Sequence, residues 1–164
     1  MNPWFLITLI GTPEIWLILS GIFLLSYLIM RDRMDAKTRK RIKKFCFVYV
    51  VGVWITVCLI LGMKFAFNIE RPCIPCGTEM MDCNPYCLSD NSFPSGHAAI
   101  IFAVFSSFYI SLRRKWFTPL FIIPFLVAVS RYFLVVHYMV DVVFGTFIGT
   151  FVPIIVLIIY EKKF

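Results

Sequence analysis

The chain has 164 residues, 60% of them hydrophobic, and a mean hydropathy of +0.86. No soluble domain of this size needs so much apolar surface, so an ordinary water-soluble fold is excluded and lipid is the solvent for most of the chain. The formal net charge of +7 does not imply a nucleic-acid partner, because the charges sit in short blocks between apolar runs.

Residues Asn2 to Ile10 are apolar but too short to span a bilayer, which takes about 20 helical residues. They are expected to lie along or dip into the outer leaflet. A cleaved signal peptide is the alternative, but it lacks a basic start and a small-residue cleavage site. Gly11-Thr12-Pro13-Glu14 reads as a break and a new helix start, with Thr12 capping and Pro13 in the first turn. Spans are predicted at 13–30, 45–63, 95–112, 116–135 and 138–160, all within a single membrane domain covering 1–164. The expected fold class is therefore all-α: a polytopic helical bundle with about five transmembrane helices and a short N-terminal interfacial segment. Pro119 and Pro124 are expected to kink the fourth span, and Cys46 and Cys58 to be small core residues of the second.

Arg31 to Lys44 carries eight basic residues, Arg113-Arg114-Lys115 three and Lys162-Lys163 two, which accounts for thirteen of the sixteen Lys and Arg. The positive-inside rule puts these blocks in the cytoplasm. The other three, Lys64, Arg71 and Arg131, then fall on the opposite side together with both histidines, His97 and His137. Arg131 is expected somewhat below the outer surface, at headgroup depth. The loop at 64–94 is polar and holds Cys73, Cys76, Cys83 and Cys87. Outside the cytoplasm such a cluster makes two disulfides, with three pairings open. A four-thiolate zinc site is the alternative.

Three clusters carry chemistry. Lys64 and Arg71 are seven residues apart, about two helical turns, and are expected to share a face; Pro72 follows. Basic residues at span ends are also ordinary interfacial anchors. Pro94-Ser95-Gly96-His97 offers an N-cap serine, a glycine that lets a ligand approach, and the free N–H groups of a helix start. A plain cap with an interfacial histidine is its structural reading. Ser130-Arg131 is followed by His137 and Asp141, four residues apart and expected one turn apart on a helix. A carboxylate there fixes the imidazole tautomer, freeing the far nitrogen to attack or to carry a proton. A helix-capping ion pair is the alternative. Three cations and two histidines gathered at one membrane face make a site suited to phosphate.

Lys64-x6-Arg71-Pro72, Pro94-Ser95-Gly96-His97 and Ser130-Arg131-x5-His137-x3-Asp141 closely resemble the tripartite signature of the type 2 phosphatidic acid phosphatase superfamily. The resemblance covers about half the chain, and no signature position departs from the pattern. It implies a metal-independent, cofactor-free phosphatase that works through a phosphohistidine. His137 would be the nucleophile, Asp141 its orienter, and His97 the acid and then the base. Lys64, Arg71, Ser95, Gly96 and Arg131 would hold the phosphoryl oxygens. Membrane relatives commonly have six spans, whereas five and a stub are expected here. The implied substrate is a lipid phosphate, with a polyprenyl phosphate or diphosphate favoured by analogy and phosphatidic acid or phosphatidylglycerol phosphate as runner-up. The implied location is the cell membrane, with the site facing outward. A lipid-phosphate binding or transport protein and a vanadate-using peroxidase are the other classes.

Overall fold

Caps and apolar runs set the helix boundaries. The computed structural model describes residues 2–76, 83–112 and 115–163. Its α-helices are α1 (Pro3–Leu9), α2 (Pro13–Met30), α3 (Ala36–Phe67), α4 (Gly96–Leu112), α5 (Ile122–Phe133) and α6 (Met139–Lys163). Among the described residues the only β pairing is a single bridge between Pro75 and Asn84, so the chain is an all-α helical bundle.

Asn2 caps α1, its side chain accepting from the Trp4 amide at 3.0 Å. Thr12 and Pro13 open α2 as expected. Asp35 caps α3 by accepting from the Thr38 amide at 2.9 Å, so the basic run is helical rather than a loop. This makes α3 32 residues long, roughly 48 Å at 1.5 Å per residue, more than the hydrocarbon core of a bilayer. Asn68 stops it at φ 47°, a left-handed conformation asparagine tolerates. Between α4 and α5 the proline-containing segment Lys115–Phe121 is a 3-10 helix, so the fourth predicted span is in two parts.

Among the described residues three stretches are long and apolar enough to cross a membrane: Pro3–Arg33, Ala36–Phe67 and Met139–Lys163; Gly96–Leu112 and Phe117–Phe133 are shorter apolar helices. With its apolar exterior, this is a membrane protein. The central helix is α4, which packs on α2, α3, α5 and α6. Phe45, Tyr49 and Val53 of α3 pack with Ile100 and Val104 of α4, and Phe23 of α2 closes over them, edge-on to Phe45. The tightest crossing is between α4 and α6. A Cβ on Gly145 would stand 2.5 Å from the Ser95 carbonyl oxygen, and one on Gly149 only 2.1 Å from that of Ala99. Small residues four apart let two backbones approach where lipid supplies no hydrophobic drive. This crossing carries the start of α4 to the start of α6, and the Ser95 amide donates to the Asp141 carbonyl at 3.0 Å.

The N-terminal segment packs against the bundle: Trp4 stacks on Phe133 of α5, with ring centroids 4.7 Å apart, and Thr8 is buried. One expectation needs correcting here. Cys46 is buried as expected, but Cys58 is exposed. Cys58 lies on the outer face of α3, where lipid would satisfy it as well as a core would.

Candidate active site

The polar loop between α3 and α4 is folded over one end of the bundle. Two nested disulfides, Cys73–Cys87 and Cys76–Cys83, close it. Between them the two pairs use all four cysteines of the loop. Asn84 ties the loop to the turn after α5, its side-chain amide donating to the Leu134 carbonyl at 2.8 Å.

His137 lies just before α6 rather than on it. The chain leaves α5 through Val135, whose φ of 56° is unusual for a β-branched residue. Tyr138 takes the N-cap position of α6, and Asp141 at the third helical position accepts from its amide at 2.9 Å, as in one half of a capping box. The expected histidine–carboxylate pair therefore forms, but through a helix cap: His137 Nδ1 is 3.3 Å from Asp141 Oδ2. Ser92 Oγ donates to the same carboxylate oxygen and lies 3.3 Å from His137 Nδ1. His137 and Asp141 are 3% and 2% exposed, so the pair is held away from water.

The other imidazole nitrogen, Nε2, faces Arg71 Nη1 at 3.0 Å. A guanidinium has no acceptor, so Nε2 presents its lone pair and the proton sits on Nδ1, toward Asp141. Burial pushes the His137 pKa down, Arg71, Arg131 and Lys64 add to the effect, and Asp141 opposes it. The result is about 4, an imidazole that is neutral at pH 7.

Lys64 and Arg71 do not share a helix face, because α3 ends at Phe67 and Arg71 stands in the loop. The backbone brings them together instead. Arg71 donates to the carbonyls of Asp90 at 2.9 Å and Val136 at 2.7 Å, and Lys64 to that of Asn91. Asp90 bridges the two cations, 2.8 Å from Lys64 Nζ and 2.6 Å from Arg71 Nη2. Burial alone would raise this carboxyl, but Lys64 and Arg71 outweigh it and hold it below the usual carboxylate range.

Lys64, Arg71, Asp90, Gly96, His97 and His137 line one cavity of about 280 Å³. Much of the remaining lining is apolar, built from Leu17 of α2, Val57, Ile60 and Leu61 of α3, and Ile100 of α4, with Glu14 of α2 beside them. Among the described residues His97 has no hydrogen-bond partner, so its ring nitrogens are free for a ligand. Ser95, Arg131 and Asp141 are not among the residues that line the cavity. Arg131 is 3% exposed, and its Nη1 donates to Thr8 Oγ1 of α1 at 2.8 Å. Ser95 Oγ and Arg131 Nε are buried without partners.

Asp90, Ser92 and Thr8 were not legible as site residues. A sequence signal existed for the first two, since Ser89-Asp90-Asn91-Ser92 is a polar run directly before Phe93-Pro94. Clustered cations also need a counter-anion when buried. Thr8 gave no signal.

No curated protein sequence matches the chain. Among solved structures it is similar to the crystal structure of Aquifex aeolicus LpxE. The TM-score is 0.56 at 24% identity, covering 96% of this chain and 87% of that one. This is a likeness of fold. The description "PAP2 superfamily" matches residues 42–164, which includes all three clusters and the helices carrying them. The chain belongs to the PAP2 superfamily and is a phosphatase of lipid phosphate esters.

Proposed function

We propose that this protein removes phosphate from a single-chain lipid phosphate, a polyprenyl phosphate or diphosphate, at the extracytoplasmic face through a phosphohistidine on His137 Nε2. The observation that carries this reading is the cavity with one cationic end and one largely apolar wall. Such a cavity suits an amphiphile whose headgroup meets Lys64, Arg71, His97 and His137 while its chain runs between α2 and α3 toward lipid. One apolar wall suits one chain, which favours a prenyl phosphate over a two-chain glycerolipid.

In the mechanism, the phosphoryl group takes the place Arg71 holds at Nε2, and the guanidinium moves onto its oxygens. The Nε2 lone pair forms the P–N bond as the P–O bond to the lipid breaks, and His97, entering this step as the imidazolium, gives the leaving oxygen its proton and is left neutral. His97 then takes a proton from water, whose oxygen displaces Nε2 and releases inorganic phosphate. Asp141, held by Ser92 and the Tyr138 amide, keeps the Nδ1 proton in place and stabilises the cationic ring. Lys64, Arg71 and Arg131 neutralise the phosphoryl oxygens, Ser95 Oγ and the Gly96 backbone amide donate to them, and positioning with charge stabilisation does most of the work. The unpaired Ser95 Oγ and Arg131 Nε support this, since both are donors left for a ligand.

A phosphate-release panel with the purified protein tests the substrate. Polyprenyl monophosphates and diphosphates should outrun phosphatidic acid and phosphatidylglycerol phosphate; the reverse order would replace the substrate reading with the glycerolipid one. Tight lipid-phosphate binding without turnover would make it a carrier. With an aryl phosphate, His97→Ala should accumulate an acid-labile, base-stable adduct on His137. A label on Ser95 would overturn the assignment. For sidedness, an engineered cysteine within 36–44 should react with an impermeant reagent only after permeabilisation.

A further inference from the structure

Asp90 is no part of the three motifs, yet its carboxylate fills the centre of the cation cluster. One oxygen meets Lys64 and the other Arg71, at 2.8 and 2.6 Å. A carboxylate bridging an ammonium and a guanidinium offers its oxygens where a phosphoryl group would offer its own. The same guanidinium touches His137 Nε2, so this anion lies one residue from the reacting nitrogen.

Three features set this apart from a structural ion pair. The Lys64 and Arg71 side chains are only 12% and 4% exposed, whereas that of Asp90 is 48% exposed, so the anion is the partner free to swing into water. The cations also do not depend on the carboxylate for their places. Backbone carbonyls of Asp90 and Val136 hold Arg71, and that of Asn91 holds Lys64. Finally, Asp90 lines the same cavity as Lys64, Arg71, His97 and His137.

Resting on the reading that Lys64 and Arg71 hold the phosphoryl group, we propose that Asp90 is an internal anion that competes for them, swinging out when substrate binds and returning as phosphate leaves. The consequence is selectivity. Free phosphate must displace a tethered carboxylate with no other source of binding, whereas a lipid phosphate adds the burial of its chain. Asp90 thereby keeps the product from blocking the site.

The test measures inorganic phosphate as a competitive inhibitor of aryl phosphate hydrolysis by the full chain in detergent. Asp90→Asn and Asp90→Ala should each bind phosphate roughly tenfold tighter or more, with KM falling in parallel. Glu14→Gln, which removes an acid from the same cavity wall, should change inhibition less than about threefold. If Glu14→Gln tightens phosphate binding equally, the effect is a general field and the proposal fails. Unchanged or weaker inhibition in folded Asp90 variants would make Asp90 a positioning residue and overturn it. Loss of cooperative melting in both variants would overturn it too, because the cations would then need the carboxylate. Arg71→Ala separates the two readings. It should abolish phosphate inhibition, and wild-type inhibition in that variant would remove the phosphate site and this proposal together.

Discussion

The two ends of the bundle both carry lysine and arginine, many at one and three at the other, but they treat them in opposite ways. At the end where α3 begins and α6 stops, the basic residues of 31–44 and 162–163 are largely exposed, and Lys44 pairs with Glu161 at 2.5 Å in a contact half open to solvent; Arg113 and Arg114 lie outside the described residues. At the other end Lys64, Arg71 and Arg131 are turned inward, and each is given partners by backbone carbonyls, a hydroxyl or a carboxylate. Residue type is shared; desolvation is not. Exposed cations are screened and cheap, and they suit orientation in a membrane. Buried ones are costly unless partnered, and the structure that partners them makes an anion site.

The comparison is broken most severely at His137. His137→Ala should remove nearly all phosphate release, and Asp141→Asn should slow adduct formation by about 10²–10⁴-fold. Rapid-quench assays with an aryl phosphate measure both. Activity near wild type in His137→Ala would mean that burial at this end serves only the fold.

Arg71→Lys keeps the charge but loses the fork that reaches two carbonyls, Asp90 and His137 at once. It should cost roughly 10–100-fold in kcat/KM. A smaller loss would show that charge alone matters at the buried end, as it does at the exposed one.

The acid limb of adduct formation sharpens the electrostatics. The folded pKa of His137 is about 4, below the ordinary 6.5, so the fold holds the neutral ring. That contribution to stability is complete above about 6.5 and is lost as pH falls toward 4. Adduct formation with an aryl phosphate should therefore keep its rate below pH 6 and lose it near 4. A limb at 6.5 would mean that the ring is not desolvated.

Thr8→Val removes the hydroxyl that holds Arg131 Nη1 and leaves a second nitrogen of this buried guanidinium unpaired. The expected loss is about 1–3 kcal/mol of stability, read as a lower melting temperature. KM should rise severalfold, and Thr8→Ser should restore both. At the opposite end Lys44→Ala should cost no more than about 1 kcal/mol and leave kcat/KM unchanged. An equal loss from the two substitutions would erase the contrast between the ends.

Local chemistry made part of this legible without a structure. The all-α bundle follows from apolar runs that must satisfy their own backbone hydrogen bonds in lipid. The breaks at Thr12-Pro13 and Pro119 follow from capping and from the missing proline N–H. Lys64, Arg71, His97, His137 and Asp141 stood out because ionisable side chains are rare in so oily a chain. Their pairing did not follow from helical spacing, because α3 stops at Asn68 and α6 starts only after His137. What joins them comes from segments distant in sequence. Gly145 and Gly149 let α6 press against α4, the loop carbonyls hold Lys64 and Arg71, and Thr8 reaches Arg131 across more than a hundred residues. The disulfide pairing and the place of Asp90 among the cations belong to the same class. A sequence by itself determines which groups are costly to bury, because that cost is a property of each side chain. Which partner repays it depends on where the backbone carries distant carbonyls, hydroxyls and carboxylates, and here only the packing of α1, α4 and α6 decided that.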